Sequence, residues 1–130
     1  MYVCSGELYM KSEKGQSLVE FALIVPVLIF LLFGIIDFGR IFHAYLTIDH
    51  AGREAARTAS IGKDVATITS KAVNQGSSIG LTAGQVSVTT GSSGTDATIT
   101  ITYPITFLTP IIGNVVGPLT LKDTTIMRVE

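Results

Sequence analysis

Hydrophobic and polar positions divide this 130-residue chain into three stretches. The first is FALIVPVLIFLLFGII, Phe21 to Ile36, which holds no charged residue. As a helix it is about 24 Å long, short of the roughly 30 Å hydrocarbon core of a bilayer. Extended back to Gln16 it reaches about 31 Å, enough to span, and takes in one carboxylate, Glu20. In the second stretch, Asp37 to about Ile61, apolar and small residues recur at spacings of three and four: Ile41, Tyr45, Ile48, Gly52, Ala55 and Ala59. That spacing predicts one face of an amphipathic helix. Asp49 with Arg53, and Glu54 with Arg57, predict charge pairs on the opposite face. Span and amphipathic helix join into one rod of about 45 residues, with Gly34 and Gly39 as points of flexibility near the membrane exit.

The third stretch changes period. Gly62 is a helix stop, and Lys63 to Gln75 reads as a short second helix. Val86 and Val88, then Ile99, Ile101 and Tyr103, alternate with polar neighbours and predict two strands joined by GSSGTD, Gly91 to Asp96. Pro104 should end the second strand or put it at an edge. Leu119 to Val129 reads as a third strand. Between them FLTPIIGNVVG, Phe107 to Gly117, is apolar for a loop. It suits either a surface that touches a partner or membrane, or a lid over a small core, and the lid is the preferred reading. The whole is an α+β chain: a long N-terminal helix packed on a small antiparallel, β-rich C-terminal head. A head this small has a marginal core of its own and needs the helix face to fold. The small residues on that face suit packing within the chain and contact between subunits.

Composition narrows the function. Hydrophobic residues make up 47% and charged residues 15%, with the charge deficit concentrated between Gln16 and Ile36. The net charge of −1 and the absence of tryptophan argue against nucleic-acid or polybasic lipid binding. Cys4 is the only cysteine, so no disulfide forms within the chain. His43 and His50 lie about 10.5 Å apart along a helix, too far to share a metal. His50 and Glu54 read as a surface ion pair. No motif of a hydrolase, nucleotide binder or zinc protease is present, so neither catalytic residues, cofactor, metal nor small-molecule substrate is expected.

Glu20 calls for explanation, because a carboxylate inside a span costs free energy and usually has a partner. Pro26, a turn and a half further on, leaves the Ala22 carbonyl without its helical partner and predicts a kink. No small-x-small cleavage site follows the span, as a secretory signal would require. Lys11 and Lys14 on one side balance Arg40 and Arg53 on the other, so charge does not decide orientation. Asp37 and Arg40, three apart at the membrane exit, are expected to pair at the headgroup level.

Gly15 followed by four uncharged residues, Glu20 and Phe21, then the apolar run, resembles the processing site of type IV prepilins. More closely, the segment from Lys14 to about Gly62, with its GQSLVEFAL, DFGR and REAAR elements, resembles TadE-like proteins, minor pilins or pseudopilins of the Tad (tight adherence, Flp) pilus system. The resemblance implies a pilin-like fold. It implies a leader over residues 1–15, a long helix over 16–62 with its span at about 16–36, and an extracytoplasmic head over 63–130. A prepilin peptidase would cut between Gly15 and Gln16 on the cytoplasmic side. The leader departs from the family pattern in carrying Glu7 and Glu13 beside its lysines. Cleavage exposes an amine, cationic near neutral pH, about 6 Å from Glu20 along the helix. Glu20, beside Phe21, would neutralise that amine in its own chain or a neighbour's, as a register device for assembly. The implied partners are other pilin or pseudopilin subunits, the peptidase, the inner-membrane assembly platform and membrane lipid, and the implied location is a bacterial inner membrane crossed once. The rival reading is a β-rich binding module, secreted or membrane-anchored, that joins no filament.

Overall fold

The structure, a computed structural model, describes residues 7–130, with side chains from residue 13 onward. Cys4 and the start of the expected leader lie outside the described residues. Helix α1 runs from Glu7 to Ser60 and α2 from Val65 to Gln75. Two single 3-10 turns lead into β1 (Val86–Thr89); β2 (Asp96–Ile105), α3 (Pro110–Val116) and β3 (Leu119–Arg128) follow. The chain divides into two compact units, Met1–Ile36 and Asp37–Glu130.

The first unit is the N-terminal part of α1. It begins before Gln16, so the helix continues back through Gly15. Between residues 13 and 36 only Val25 and Gly34 are even half-buried. Leu23 (69% exposed), Phe21 and Phe30 present their apolar surface outward. Burial of such side chains is worth about 1.5–3 kcal/mol each, so this surface calls for lipid or neighbouring helices. α1 is the one helix among the described residues long and apolar enough to cross a membrane, and Pro26 lies within it without ending it.

In the second unit, α1 from Asp37 onward buries Ala44, Ile48, Ala51, Gly52, Ala55, Ala56 and Ala59. The stripe is the expected one save at Tyr45, which is half exposed; Ala44, one position earlier, takes its place. A spacing of four from Ile48 leads to Ala44, and the next residue is turned about 100° around the helix. Small residues let β3 come close: a Cβ on Gly52 would lie 2.7 Å from Oδ2 of Asp123 and 2.8 Å from Oγ1 of Thr125. Of the expected charge pairs, Asp49 and Arg53 form theirs at 3.1 Å. Glu54 pairs instead with Lys71 of α2, 3.5 Å away, in place of Arg57 or His50. It is half-buried on the flank that α2 crosses, which brings Lys71 within reach.

Asp64 caps α2 by accepting the Thr67 N–H at 3.3 Å, so the helix starts after Asp64 rather than at Lys63. Gly62, at φ 71°, ends α1 by donating to the Ala59 carbonyl. The sheet is antiparallel in the order β1-β2-β3. Odd-numbered residues of β2 and β3 face the helices; Ala97, Ile99 and Ile101 are fully buried against Ile48, Ala55, Ile68 and Ala72. The even-numbered side is lined largely by threonine. Pro104 lies within β2, paired with Thr120. The β1 ladder stops at Ile101, so at Pro104 the strand has one neighbour only and tolerates a residue without an N–H.

The segment Phe107–Gly117 differs from the expected lid. Pro110 to Val116 forms α3, with Pro at its first turn and Gly117 (φ 74°) at its end. None of its residues joins the core: Leu108, Ile111, Val115 and Val116 are all exposed.

Candidate functional site

Two places on α1 carry the residues singled out from sequence. The first is the turn and a half from Gly15 to Phe21. Gly15 is open, with nothing near the position of a Cβ. Ser17 donates its hydroxyl to the Glu13 carbonyl at 3.2 Å, an ordinary intrahelical bond. Gln16 and Glu20 face each other one turn apart, and the Gln16 amide donates to Oε1 of Glu20 at a long 3.4 Å. No cation of the described residues pairs with that carboxylate. Phe21 is exposed beside it. Sequence and structure agree that Gln16 and Glu20 share a face. Pro26 stands apart from them further along α1.

The second place is the expected membrane exit, where Asp37 and Arg40 are predicted to pair in the headgroup layer. They approach to 3.8 Å, a loose contact. Asp37 is 3% exposed, and its carboxylate is engaged by the chain between β2 and α3. Oδ1 accepts the Leu108 N–H at 2.9 Å; Oδ2 accepts the Thr109 hydroxyl at 2.7 Å and the Thr109 N–H at 3.1 Å. Arg40, half exposed, donates to the Thr106 carbonyl at 3.3 Å. The Thr109 hydroxyl, then the Leu108 N–H, hold the Asp37 carboxyl below its usual value; burial opposes them, and the Thr109 N–H and the Arg40 charge assist. Asp37 thus pairs with Arg40 and, beyond the expectation, clamps the β2–β3 hairpin.

Thr106, Leu108 and Thr109 were not singled out from sequence. A signal for α3 was present: Thr109-Pro110 before an apolar run matches a cap followed by proline at the first helical position. Nothing local pointed to Asp37, seventy-one residues away from Leu108.

Beside Arg40 a cleft of about 260 Å³ is lined by His43, Ser78, Ile79, Tyr103 and Thr106 among others. Its polar groups are engaged within the protein: the Tyr103 hydroxyl donates to the Ile79 carbonyl at 2.7 Å, and Arg40 to Thr106. Among the described residues no group of His, Cys, Asp or Glu is arranged to hold a metal ion. What the two places offer is a carboxylate without a cation among the described residues, and a clamped joint on the same helix just after its apolar run.

Residues 15–57 match the family model of the TadE-like proteins, the family the sequence resembles. No curated protein and no solved structure matches the chain.

Proposed function

We propose that this chain, TadE-like from residue 15 to residue 57, is a minor pilin or pseudopilin that acts structurally in assembling Tad/Flp-type adhesive pili. The observation that carries the reading is the matched segment itself. It opens at Gly15, sets Gln16 and Glu20 on one face of α1, and continues into an apolar helix that none of the described residues covers. A prepilin peptidase cuts after Gly15, where an open glycine lowers helix stability by about 1 kcal/mol relative to alanine and eases local unwinding. The new Gln16 amine then has Glu20 one helical turn away, in its own chain or in the next subunit. Removing one partner of such a pair in an apolar setting costs on the order of 3–5 kcal/mol. Pro26 loosens the helix between these residues and the head. The head lies outside the cytoplasm, and the partners are other pilins, the peptidase and the inner-membrane assembly platform.

Intact mass and N-terminal sequencing of the protein from its native membrane test this. A chain beginning at Gln16, with or without a methyl group, supports the reading. A chain beginning beyond Ile36 sinks it in favour of a secreted module, and one beginning at Met1 leaves an anchored module outside any filament.

A further inference from the structure

The chain between Asp96 and Lys122 carries no charge, and its most exposed part is the tip of the β2–β3 hairpin. At that tip Leu108, Ile111, Val115 (81% exposed) and Val116 present apolar side chains to solvent. An uncovered apolar patch on a small head marks a contact surface. Its position identifies the occupant. The backbone of Leu108 and Thr109 is bonded to the carboxylate of Asp37, and Asp37 is the residue that follows Ile36, the last of the apolar span, on the same helix. The tip is therefore tethered to the residue that directly follows the apolar run, where the expected span ends. Arg40, about 6 Å further along α1, holds the Thr106 carbonyl at the same joint. The interfacial layer on each side of a bilayer is about 5–8 Å deep, so a patch at this level meets lipid before it meets bulk water.

We propose that α3 and the residues leading into it are a second membrane contact. The hairpin tip seats in the interface of the same bilayer that α1 crosses, with the lipid surface as the occupant of its apolar side. Apolar area buried at the boundary between headgroups and acyl chains adds to anchoring without spanning. The Asp37 clamp then does more than fix a loop. It ties the tip to the first residue beyond the apolar run. The inference rests on residues 16–36 lying in a membrane, a premise the test checks separately.

The protein has no tryptophan, so Val115→Trp in the full chain creates a single reporter at an open position. The full-length variant is reconstituted in phosphatidylcholine vesicles containing lipids brominated at shallow or deep acyl positions. Phe30→Trp serves as the reporter for the span and Ile61→Trp, also exposed, for the other end of the head. The expected result is loss of emission from position 115 with shallow bromines, from position 30 with deep bromines, and from position 61 with neither. If position 30 is quenched while position 115 stays open to aqueous iodide, the inference is overturned and the span stands. If position 115 is shielded from iodide only at high protein-to-lipid ratio, without bromine quenching, another copy of the chain covers the tip, and the inference again fails. If position 30 itself is not quenched, the span and the inference fall together.

Discussion

Two glycines of α1 test the packing argument because the same substitution should act with opposite sign at each. Gly39 has nothing within 4 Å of a Cβ position, so Gly39→Ala brings only the helix preference of alanine, a gain of about 1 kcal/mol. Gly52→Ala makes the same gain, but its methyl would fall 2.7 Å from Asp123 Oδ2 and 2.8 Å from Thr125 Oγ1. Those two atoms are joined by the Thr125 hydroxyl at 3.1 Å, and both cannot retreat without breaking that bond. Asp123 has a side chain that can swing; Thr125 is short and β-branched, so β3 itself must shift. Overpacking of this kind costs about 1–3 kcal/mol, and a lost hydrogen bond about 0.5–1.5 kcal/mol. Set against the helix gain, Gly52→Ala should destabilise by roughly 0.5–3.5 kcal/mol. Thermal unfolding of the purified full chain in detergent, followed by circular dichroism, reads the difference at about 4–8 °C per kcal/mol for a unit of this size. Thr125→Ala removes one clashing atom, so the double variant should recover about 1 kcal/mol relative to additive behaviour. Should Gly52→Ala raise the melting temperature as Gly39→Ala does, β3 is not pressed against α1 at this point and the account of the small-residue stripe is wrong.

Other outcomes follow from the same geometry. The folded-state values of Asp37 and Asp64 lie below the ordinary 3.8, so each contributes stability that is complete above that value and is lost as pH falls through the lowered one. Acid titration of the melting temperature should show a fall beginning near pH 4 that is shallower in Asp37→Asn and shallower still when Asp64→Asn is added. Ile99→Ala and Ile48→Ala each empty a fully buried position and should cost about 2–5 kcal/mol in denaturant unfolding. Glu54→Gln breaks a partly exposed pair with Lys71 and should cost no more than about 1 kcal/mol. Glu20→Gln should leave processing and membrane insertion intact but remove the chain from sheared filaments; normal recovery there would dismiss the register role.

What the sequence shows plainly is what is written in local periods. The apolar run, the stripe at Ile48, Gly52, Ala55 and Ala59, and the alternation at Ile99 and Ile101 each repeat often enough to fix an element and a face. Asp49 and Arg53 were legible because helical geometry alone brings them together. Glu54 was misjudged because its partner lies on another helix, and the choice between Arg57 and Lys71 is made by packing. The joint at Asp37 was half legible: its location at the membrane exit follows from the end of the apolar run, but its bonds to Leu108 and Thr109 depend on the tertiary fold. The turn at Phe107–Gly117 was read as a covering loop because it is apolar. Composition cannot distinguish a side chain buried by its own protein from one left exposed for another surface.

The clamp at Asp37 has a counterpart at the other end of the helix, where the Glu130 N–H donates to the Ser60 carbonyl at 3.0 Å and Val129 is tied to Thr95 at 2.9 Å. From Asp37 to Ser60 is about 35 Å of helix, and the ten residues of β3 extend about 31 Å. The hairpin is thus riveted to α1 at both ends of a shared length. A pull along the helix axis would load the two rivets and the intervening contacts together, in shear, instead of peeling one bond after another. For a chain pulled along α1, that is the difference between a seam and a zip.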